Sequence, residues 1–468
     1  MEQIKFGTDG WRAVIGETYT FENVRRVAKA LALSLKRRGE DSKPVVIGYD
    51  FRFMSEYFAR AVYDELTTAG ITAQLSERPV PTPALSLAVK QNGASCGVMI
   101  TASHNPHFYN GIKFKADYGG PVMPDFTDDV QKCLEEIEPP EGGATVYDDE
   151  CPVVDILTPY LKTLKEYADL SKLKKANLRV AVDSMNAVGG NILPGLLHQA
   201  GVEVVAIRTD RNPLFDYSLP EPDRVHISKL SDLVVCEECN AGMATDGDAD
   251  RIGVVDEEGE FVTLHYLMPM LYEYLCESRE MKGDAVRTTS TDNLFDKVCE
   301  SRGSSCIEVP VGFKNVCEVV LEKDIVVGGE ESGGICFKGH IPERDGILTA
   351  LLILEMMAVK GMSLSSLVNE MSERFHPVAY LREDRIGDQE TIQRNMKQMK
   401  TSPPEEMGGF AVSNVDLKDG IKFYFENGAW MLMRVSQTEP KGRVYVGGPD
   451  IESVKRILNA GCSFLFDS

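Results

Sequence analysis

One pattern occurs three times along this chain of 468 residues and constrains its fold more than any other feature. In each copy, a strand, a helix, a second strand and a second helix lead into a third strand that ends in a polar loop. The first strands lie at 45–50, 179–183 and 285–288, and the polar loops lie at 101–106, 246–251 and 329–334. Because strands that alternate with helices form parallel sheets, the pattern predicts three similar α/β units with equivalent polar loops.

Proline and glycine clusters divide the chain further. A Pro/Gly break at 138–143 closes the first unit, and a turn at 256–259 lies near the end of the second. A last segment opens at His376-Pro377 and contains strand-like stretches at 410–415, 420–425 and 430–435, which predict a smaller α+β domain. We therefore expect four domains, at residues 1–143, 144–256, 257–374 and 375–468.

Composition limits the partners and the compartment. A net charge of −22 argues against a nucleic-acid or acidic-membrane partner. The longest apolar stretch, from Ile347 to Val359, is too short for a membrane span, and the N-terminus lacks the pattern of a secretory signal. The 11 cysteines are odd in number and irregularly spaced, which suits reduced thiols. These features predict a cytoplasmic protein without a membrane partner.

The first polar loop presents Ser103 and His104 at the end of a buried strand. Loops at strand ends are where α/β proteins usually hold their chemistry. A hydrolase elbow would need Gly-x-Ser-x-Gly, and the residues flanking this serine are Thr101 and Asn105. A loop that only caps a following helix stays open as an alternative. A turn at Asn110-Gly111 could bring Lys113 back towards Ser103.

The second polar loop alternates three aspartates, Asp246, Asp248 and Asp250, so their carboxylates share one side of an extended loop. Three hard oxygen ligands suit Mg²⁺, whose remaining coordination positions can be filled by water or phosphate oxygens. An EF-hand would need glycine at the place of Arg251 and helices on both sides, where the sequence reads as strands. A solvated acidic turn remains the simpler alternative, although three carboxylates without a cation would repel one another.

Two further loops carry groups that suit a phosphorylated sugar. Glu330 and Ser332 lie on a glycine-rich turn and could hydrogen-bond to hydroxyl groups, although a plain turn fits equally well. A C-terminal loop mixes basic and hydroxyl side chains, the donors that a phosphate monoester needs: Arg434, Ser436, Thr438, Lys441 and Arg443.

Together these stretches resemble the four signature loops of the α-D-phosphohexomutase family, in the same order. The matching motifs are Thr101-Ala-Ser-His-Asn-Pro106, Asp246-Gly-Asp-Ala-Asp-Arg251, Gly329-Glu-Glu-Ser-Gly333 and the segment from Arg434 to Arg443. The resemblance covers nearly the whole chain and begins at Phe6-Gly-Thr-Asp-Gly-Trp-Arg12. It implies three similar α/β/α domains with mixed sheets and a smaller C-terminal α+β domain, arranged around a central cleft.

The resemblance also implies a mechanism. Ser103 would carry a phosphoryl group, Mg²⁺ would bridge that group to the three aspartates, and a hexose 1,6-bisphosphate would be the intermediate, with glucose 1,6-bisphosphate as activator. The residues implied near the reacting phosphate are Arg12, Ser103, His104, Lys113 and Arg251. Those implied to bind the substrate are Lys314, Glu330, Ser332, His340, Arg434, Ser436, Gln437, Thr438 and Arg443.

One departure from the family pattern bears on the sugar. Gly334 stands where mannose-capable and glucosamine members usually have histidine, and the stretches around Lys314 and His340 also resemble the glucose branch. We therefore expect a phosphoglucomutase-like isomerase that acts on a small-molecule sugar phosphate, as a monomer or homodimer. The alternatives are a phosphomannomutase or dual-specificity enzyme, a phosphoglucosamine mutase, a glucose 1,6-bisphosphate synthase, and a non-catalytic sugar-phosphate binder.

Overall fold

The structure, a computed structural model, describes residues 4–7, 10–137, 151–435 and 441–467. The first domain is built around a six-stranded sheet, in the order β1-β5-β4-β2-β3-β6. Its elements are β1 (Trp11–Val14), α1 (Phe21–Arg38), β2 (Val45–Tyr49), α2 (Ser55–Thr68), β3 (Ala73–Ser76), α3 (Thr82–Gln91), β4 (Cys96–Ile100), β5 (Tyr109–Ala116), α4 (Pro124–Glu136) and β6 (Val153–Val154).

The second domain has a five-stranded sheet, in the order β11-β10-β9-β7-β8. Its elements are α5 (Leu157–Tyr167), α6 (Leu170–Lys175), β7 (Arg179–Asp183), α7 (Ile192–Gln199), β8 (Glu203–Ile207), a 3₁₀ turn (Phe215–Tyr217), α8 (Ser228–Cys236), β9 (Ala241–Thr245), β10 (Ile252–Asp256) and β11 (Phe261–Val262).

The third domain has a four-stranded sheet, in the order β13-β12-β14-β15. Its elements are α9 (Leu264–Ser278), β12 (Asp284–Thr288), α10 (Leu294–Ser301), β13 (Cys306–Val309), α11 (Phe313–Glu322), β14 (Ile325–Gly329), β15 (Ile335–Phe337), α12 (Gly346–Lys360) and α13 (Leu364–Arg374).

The fourth domain has a second six-stranded sheet, in the order β16-β21-β20-β19-β18-β17, and all of its strand pairs are antiparallel. Its elements are β16 (Ala379–Ile386), α14 (Gln389–Thr401), β17 (Glu406–Met407), β18 (Phe410–Asp416), β19 (Ile421–Phe425), β20 (Trp430–Val435), β21 (Lys441–Gly448) and α15 (Ile451–Phe466). The predicted class, three similar α/β/α domains plus a smaller C-terminal domain, is confirmed.

The same four-stranded motif forms the centre of the first three sheets. Its first strand (β2, β7 or β12) pairs in parallel with the second and the third, and a fourth strand returns antiparallel to the third. The loop between the third and fourth strands is the polar loop in each copy: 101–108, 246–251 and 330–334. The predicted equivalence of the three polar loops is therefore correct.

The apolar core explains how the domains are held together. One continuous cluster of buried side chains runs from the first domain through the second to the third, for example from Leu85 on α3 through Tyr160 on α5 to Leu351 on α12. The fourth domain has a separate core between its sheet and α15, around Phe423 and Ile457. The first three domains thus form one packed body to which the fourth is attached.

Most predicted elements lie where expected, with small differences at their ends. In the second unit, for example, the first helix of the pattern, α7, begins at Ile192, after a turn in which Gly190 adopts φ 43°. The turn at 256–259 joins β10 to β11, with Gly259 N donating to Asp256 O over 3.1 Å. The predicted break at 138–143 lies outside the described residues.

Among the described helices, no single one is long and apolar enough to cross a membrane. One bent pair, α12 and α13, reaches that length and apolarity together, and its two helices meet at 79°.

Candidate active site

Two polar loops from different domains meet at Ser103. Its hydroxyl donates to Asp246 Oδ2 over 2.9 Å, and both residues are fully buried. The backbones also touch, because a Cβ atom built on Gly247 would lie 2.0 Å from the Ser103 carbonyl oxygen. Glycine is therefore the only residue that fits between the two loops without moving one of them.

The backbone at Ser103 is strained. Its φ of 51° lies in the left-handed region, which non-glycine residues seldom adopt. The amide of Ser103 donates to Thr101 Oγ1 over 2.9 Å, which helps to hold this conformation. Strained backbone of this kind concentrates at functional sites, where the surrounding structure fixes it.

His104 lies beside Ser103, with its Nδ1 3.5 Å from Ser103 Oγ. Burial, assisted by the positive charges of Arg251 and Arg12, holds the pKa of His104 well below its usual range. The imidazole is therefore neutral and able to accept a proton.

The three aspartates of the second loop form a compact cluster. One oxygen from each of Asp246, Asp248 and Asp250 lies within 4.8 Å of the others, and all three side chains are buried. No hydrogen-bond donor of the described residues reaches Asp248 Oδ1 or Asp250 Oδ1, although both oxygens are buried. Three clustered carboxylates, two of which keep a buried oxygen without a donor, fit a hard divalent cation such as Mg²⁺. The strands β9 and β10 on either side of the loop rule out an EF-hand.

The charges around this cluster set its protonation. Burial, together with the neighbouring carboxylates, raises the pKa of Asp246 well above its usual value. Burial also acts to raise the pKa of Asp248, but Lys113 and a hydrogen bond from Thr82 outweigh it and hold that pKa low. Lys113 Nζ lies 2.9 Å from Asp248 Oδ2 and 3.6 Å from Asp250 Oδ2.

Two residues that the sequence did not indicate complete this network. Thr82, at the start of α3, donates its hydroxyl to Asp248 Oδ2 over 2.5 Å. Arg344, just before α12, donates from Nη2 to Asp250 Oδ2 over 2.6 Å. Neither residue belongs to a polar loop of the repeat, so only the packing of one domain on another reveals them.

The third polar loop joins the same region. Ile252 N donates to Gly333 O over 3.0 Å, which ties the turn at 330–334 to the aspartate loop. Glu330 is 5% exposed and accepts a hydrogen bond from Gly312 N over 3.0 Å. Burial raises the pKa of Glu330, and nearby Arg344 offsets part of that effect. Ser332 lies half-buried in the same turn.

The remaining predicted residues occupy different environments. Arg12 donates to Asn105 Oδ1 over 2.7 Å, which places its guanidinium beside the serine loop. Arg251 Nε lies 4.0 Å from Asp250 Oδ1. Lys314 lies in the first turn of α11. His340 contacts Asp345 over 3.0 Å, and its ring packs against Tyr167, so its imidazole is engaged inside the protein.

The fourth predicted loop lies between β20 and β21. Arg434 and Arg443 stand directly opposite each other at its base, and they contact Asp419 and Asp384 respectively. The predicted substrate ligands Ser436, Gln437 and Thr438 lie outside the described residues. The two guanidiniums therefore flank the base of this loop.

Comparison with protein families places the whole chain in one group. Four domain models described as phosphoglucomutase/phosphomannomutase match it: α/β/α domain I at residues 3–141, domain II at 158–259, domain III at 264–375 and the C-terminal domain at 389–460.

Individual relatives agree in length and architecture. A phosphoglucomutase/phosphomannomutase of Thermococcus kodakarensis is 30% identical and covers 98% of both chains. A phosphoglucosamine mutase of Aliarcobacter butzleri is 28% identical, also over 98% of both chains. A crystal structure of a putative phosphomannomutase from Thermus thermophilus superposes on this chain with a TM-score of 0.86 at 34% identity, again over 98% of both chains.

Proposed function

Because the chain belongs to the phosphoglucomutase/phosphomannomutase family and is thus a phosphohexomutase, we propose that it interconverts glucose 1-phosphate and glucose 6-phosphate through a phosphorylated Ser103. The observation that supports this most is the 2.9 Å hydrogen bond between Ser103 Oγ and Asp246 Oδ2, within a buried cluster of three aspartates. A serine that served only as a helix cap would have no need of such a cluster.

In the proposed first half-reaction, a hydroxyl oxygen of the bound hexose phosphate attacks the phosphorus carried by Ser103. A bond forms between the sugar oxygen and phosphorus while the bond from Ser103 Oγ to phosphorus breaks, and the hydroxyl proton ends on Ser103 Oγ. Neutral His104 would pass this proton, and its distance of 3.5 Å from that oxygen supports the role.

The product of this step is a hexose 1,6-bisphosphate. It turns over in the cleft, and its other phosphoryl group returns to Ser103 by the reverse chemistry, so the cycle neither gains nor loses phosphate. Added glucose 1,6-bisphosphate would load an unphosphorylated Ser103, which explains its expected role as activator.

Charge neutralisation is the main catalytic term in phosphoryl transfer. Asp246, Asp248 and Asp250 would hold Mg²⁺, which when bound supplies positive charge to the transferring group. Arg12 and Arg251 would add cationic donors, as their positions beside Asn105 and Asp250 allow. Glu330 and Ser332 would hold sugar hydroxyls, and Arg434 and Arg443 the phosphate that does not react.

The choice of glucose rests on Gly334. A Cβ atom at this position would lie 2.1 Å from Arg344 Cδ, so the arginine side chain fills the space that a histidine would need. Arg344 is itself held by Asp250, which makes the exclusion rigid. A site that lacks this histidine supports glucose over mannose or glucosamine.

The test is ³¹P NMR of the enzyme with Mg²⁺, a trace of glucose 1,6-bisphosphate and equal amounts of glucose, mannose and glucosamine 1-phosphates. We expect fast conversion of the glucose ester and slow conversion of the others. Comparable conversion of mannose would contradict the glucose assignment and indicate a dual-specificity mutase.

Three other outcomes would assign the alternative activities. Preferred conversion of the glucosamine ester would indicate a phosphoglucosamine mutase. Net accumulation of bisphosphate from an added phosphoryl donor would indicate a synthase. Binding without conversion of any ester would contradict the mutase proposal itself.

A further inference from the structure

Arg52 lies beneath the serine loop, outside every motif that the sequence indicated. It follows β2, whose last residue Tyr49 pairs with Ile100 at the end of β4, so it sits next to the point where the serine loop begins. Its side chain is completely buried. A fully buried arginine is rare, because burying its charge costs free energy unless partners compensate for the lost water.

The partners of this guanidinium are backbone carbonyls of the loop. Nη2 donates to Ser103 O and to Asn105 O, each over 2.6 Å. Nη1 donates to Pro106 O over 2.8 Å and to Tyr109 O over 3.0 Å. One rigid, planar group thus binds four carbonyls between residues 103 and 109, which the single ammonium of a lysine could not reproduce.

Asp50 provides the counter-charge. Its Oδ2 lies 3.5 Å from Arg52 Nε, and its Oδ1 accepts from Arg52 N and from Ser55 Oγ, each over 2.9 Å. This pairing anchors the arginine to the end of β2 and leaves both terminal nitrogens for the loop.

The second domain covers the other face of the guanidinium. The Phe215 ring lies 4.9 Å from Arg52 Cζ, a cation–π distance. Phe215, Asp216 and Tyr217 have φ values of 49°, 54° and 58°, three consecutive non-glycine residues in the left-handed region. Strain of this kind costs conformational free energy and persists only where surrounding contacts fix it. The second domain therefore holds the Phe215 ring against Arg52 despite this cost.

We propose that Arg52 is a positioning residue for phosphoryl transfer, which fixes the serine loop so that Ser103 keeps its left-handed backbone and directs Oγ at Asp246. The inference rests on the proposed mutase function for its kinetic consequence. The contacts of Arg52 are with the loop backbone, the Asp50 carboxylate and the Phe215 ring, so it acts through the loop.

The main test compares R52K with R208K. Arg208 is the control because its side chain is only 9% exposed, contacts a carboxylate (Asp183) and a backbone carbonyl (His226), and follows β8, the edge strand of the second domain's sheet. Because a misplacement of about 1 Å costs on the order of 100-fold in rate, R52K should lower kcat about 100-fold and leave KM within about threefold. R208K should lower the melting temperature and leave kcat unchanged.

Hydrogen exchange supplies a readout that does not depend on turnover. In R52K, amides of a peptide spanning residues 101–109 should exchange faster than in the wild type, while in R208K that peptide should exchange at the wild-type rate. If the wild-type enzyme showed no mutase turnover, the proposed function would fail, and the exchange of this peptide would still decide whether Arg52 fixes the loop.

Two results would overturn the inference: a folded R52K with wild-type kcat and exchange, or an R208K with the same kinetic loss as R52K. If R52K does not fold, F215L tests the inference in its place. This variant removes the aromatic ring that holds the guanidinium of Arg52 and leaves the carbonyl partners of Arg52 in the protein. F215L should lower kcat about threefold to tenfold, and a wild-type kcat in F215L would contradict the role of Arg52.

Discussion

Replacing Lys113 by methionine should make the protein depend on a divalent cation for its stability. Lys113 lies on β5, is 1% exposed, and its ammonium contacts both Asp248 and Asp250. K113M keeps most of the side-chain volume and removes the charge. The three buried carboxylates would then lose this cation, while Arg344 and Arg251 would still contact Asp250.

The size of the effect follows from this geometry. Removing one partner of a buried ion pair costs about 3–5 kcal/mol, because the other charge stays buried without compensation. A ligand that binds only the folded state, and is present at about 100 times its Kd, raises the free energy of unfolding by about 2.7 kcal/mol. K113M should therefore be markedly unstable without Mg²⁺ and should gain more stability from Mg²⁺ than the wild type does.

Lys115 offers a matched control two residues along the same strand. It is also fully buried, but its partner is Glu343, outside the aspartate cluster. K115M should lose a similar amount of stability and should gain only as much from Mg²⁺ as the wild type.

The assay is urea unfolding of the three proteins, followed by circular dichroism, with and without Mg²⁺. An equal gain from Mg²⁺ in K113M and K115M would refute the reasoning, since the two lysines would then be equivalent towards the cation.

Two further predictions concern the pH dependence of stability at Asp292 and the packing at Gly334. Burial acts to raise the pKa of Asp292, but hydrogen bonds from His376 and Trp430 outweigh it and lower that pKa to about 2. Ionised Asp292 therefore stabilises the folded protein above the unfolded pKa of about 3.9, and this stabilisation is lost as the pH falls towards 2. D292N should be roughly 2–3 kcal/mol less stable than the wild type at neutral pH. In acid unfolding titrations this difference in stability should disappear. G334A should displace Arg344 from Asp250, because the added methyl group would clash with the arginine side chain. The loss of this charge-assisted hydrogen bond should lower kcat/KM about tenfold to 100-fold. Unchanged steady-state kinetics would contradict the packing of Arg344 against Gly334.

The features that the sequence predicted well are local. The spacing of Asp246, Asp248 and Asp250 alone placed three carboxylates on one side of a loop, and their oxygens do converge. The equivalence of the three polar loops followed from topology, because each loop follows the third strand of the repeated motif. Their meeting in one cleft was implied only by the family resemblance.

The features that it missed depend on tertiary contacts. Arg52 and Thr82 reach the site from positions with no motif, and Arg344 from the stretch around His340, where no role was predicted for it. Each makes its decisive contact with a residue at least 51 positions away. Helix α1 was not predicted, although Thr20 caps its start and Gly39, at φ 70°, ends it. The role of His340 as a substrate ligand stays a prediction, and the sequence did not foresee the contact of its Nε2 with Asp345.

The most direct test of the central claim is the intact mass of the protein after incubation with glucose 1,6-bisphosphate and Mg²⁺, for the wild type and for S103A. We predict that the wild type gains one phosphoryl group, located on Ser103 by peptide mapping, and that adding glucose 1-phosphate removes it with formation of bisphosphate. S103A should gain no phosphoryl group and lose mutase turnover by orders of magnitude while it stays folded. A wild-type turnover rate in S103A, or a phosphoryl group on another residue, would contradict the phosphoserine mechanism.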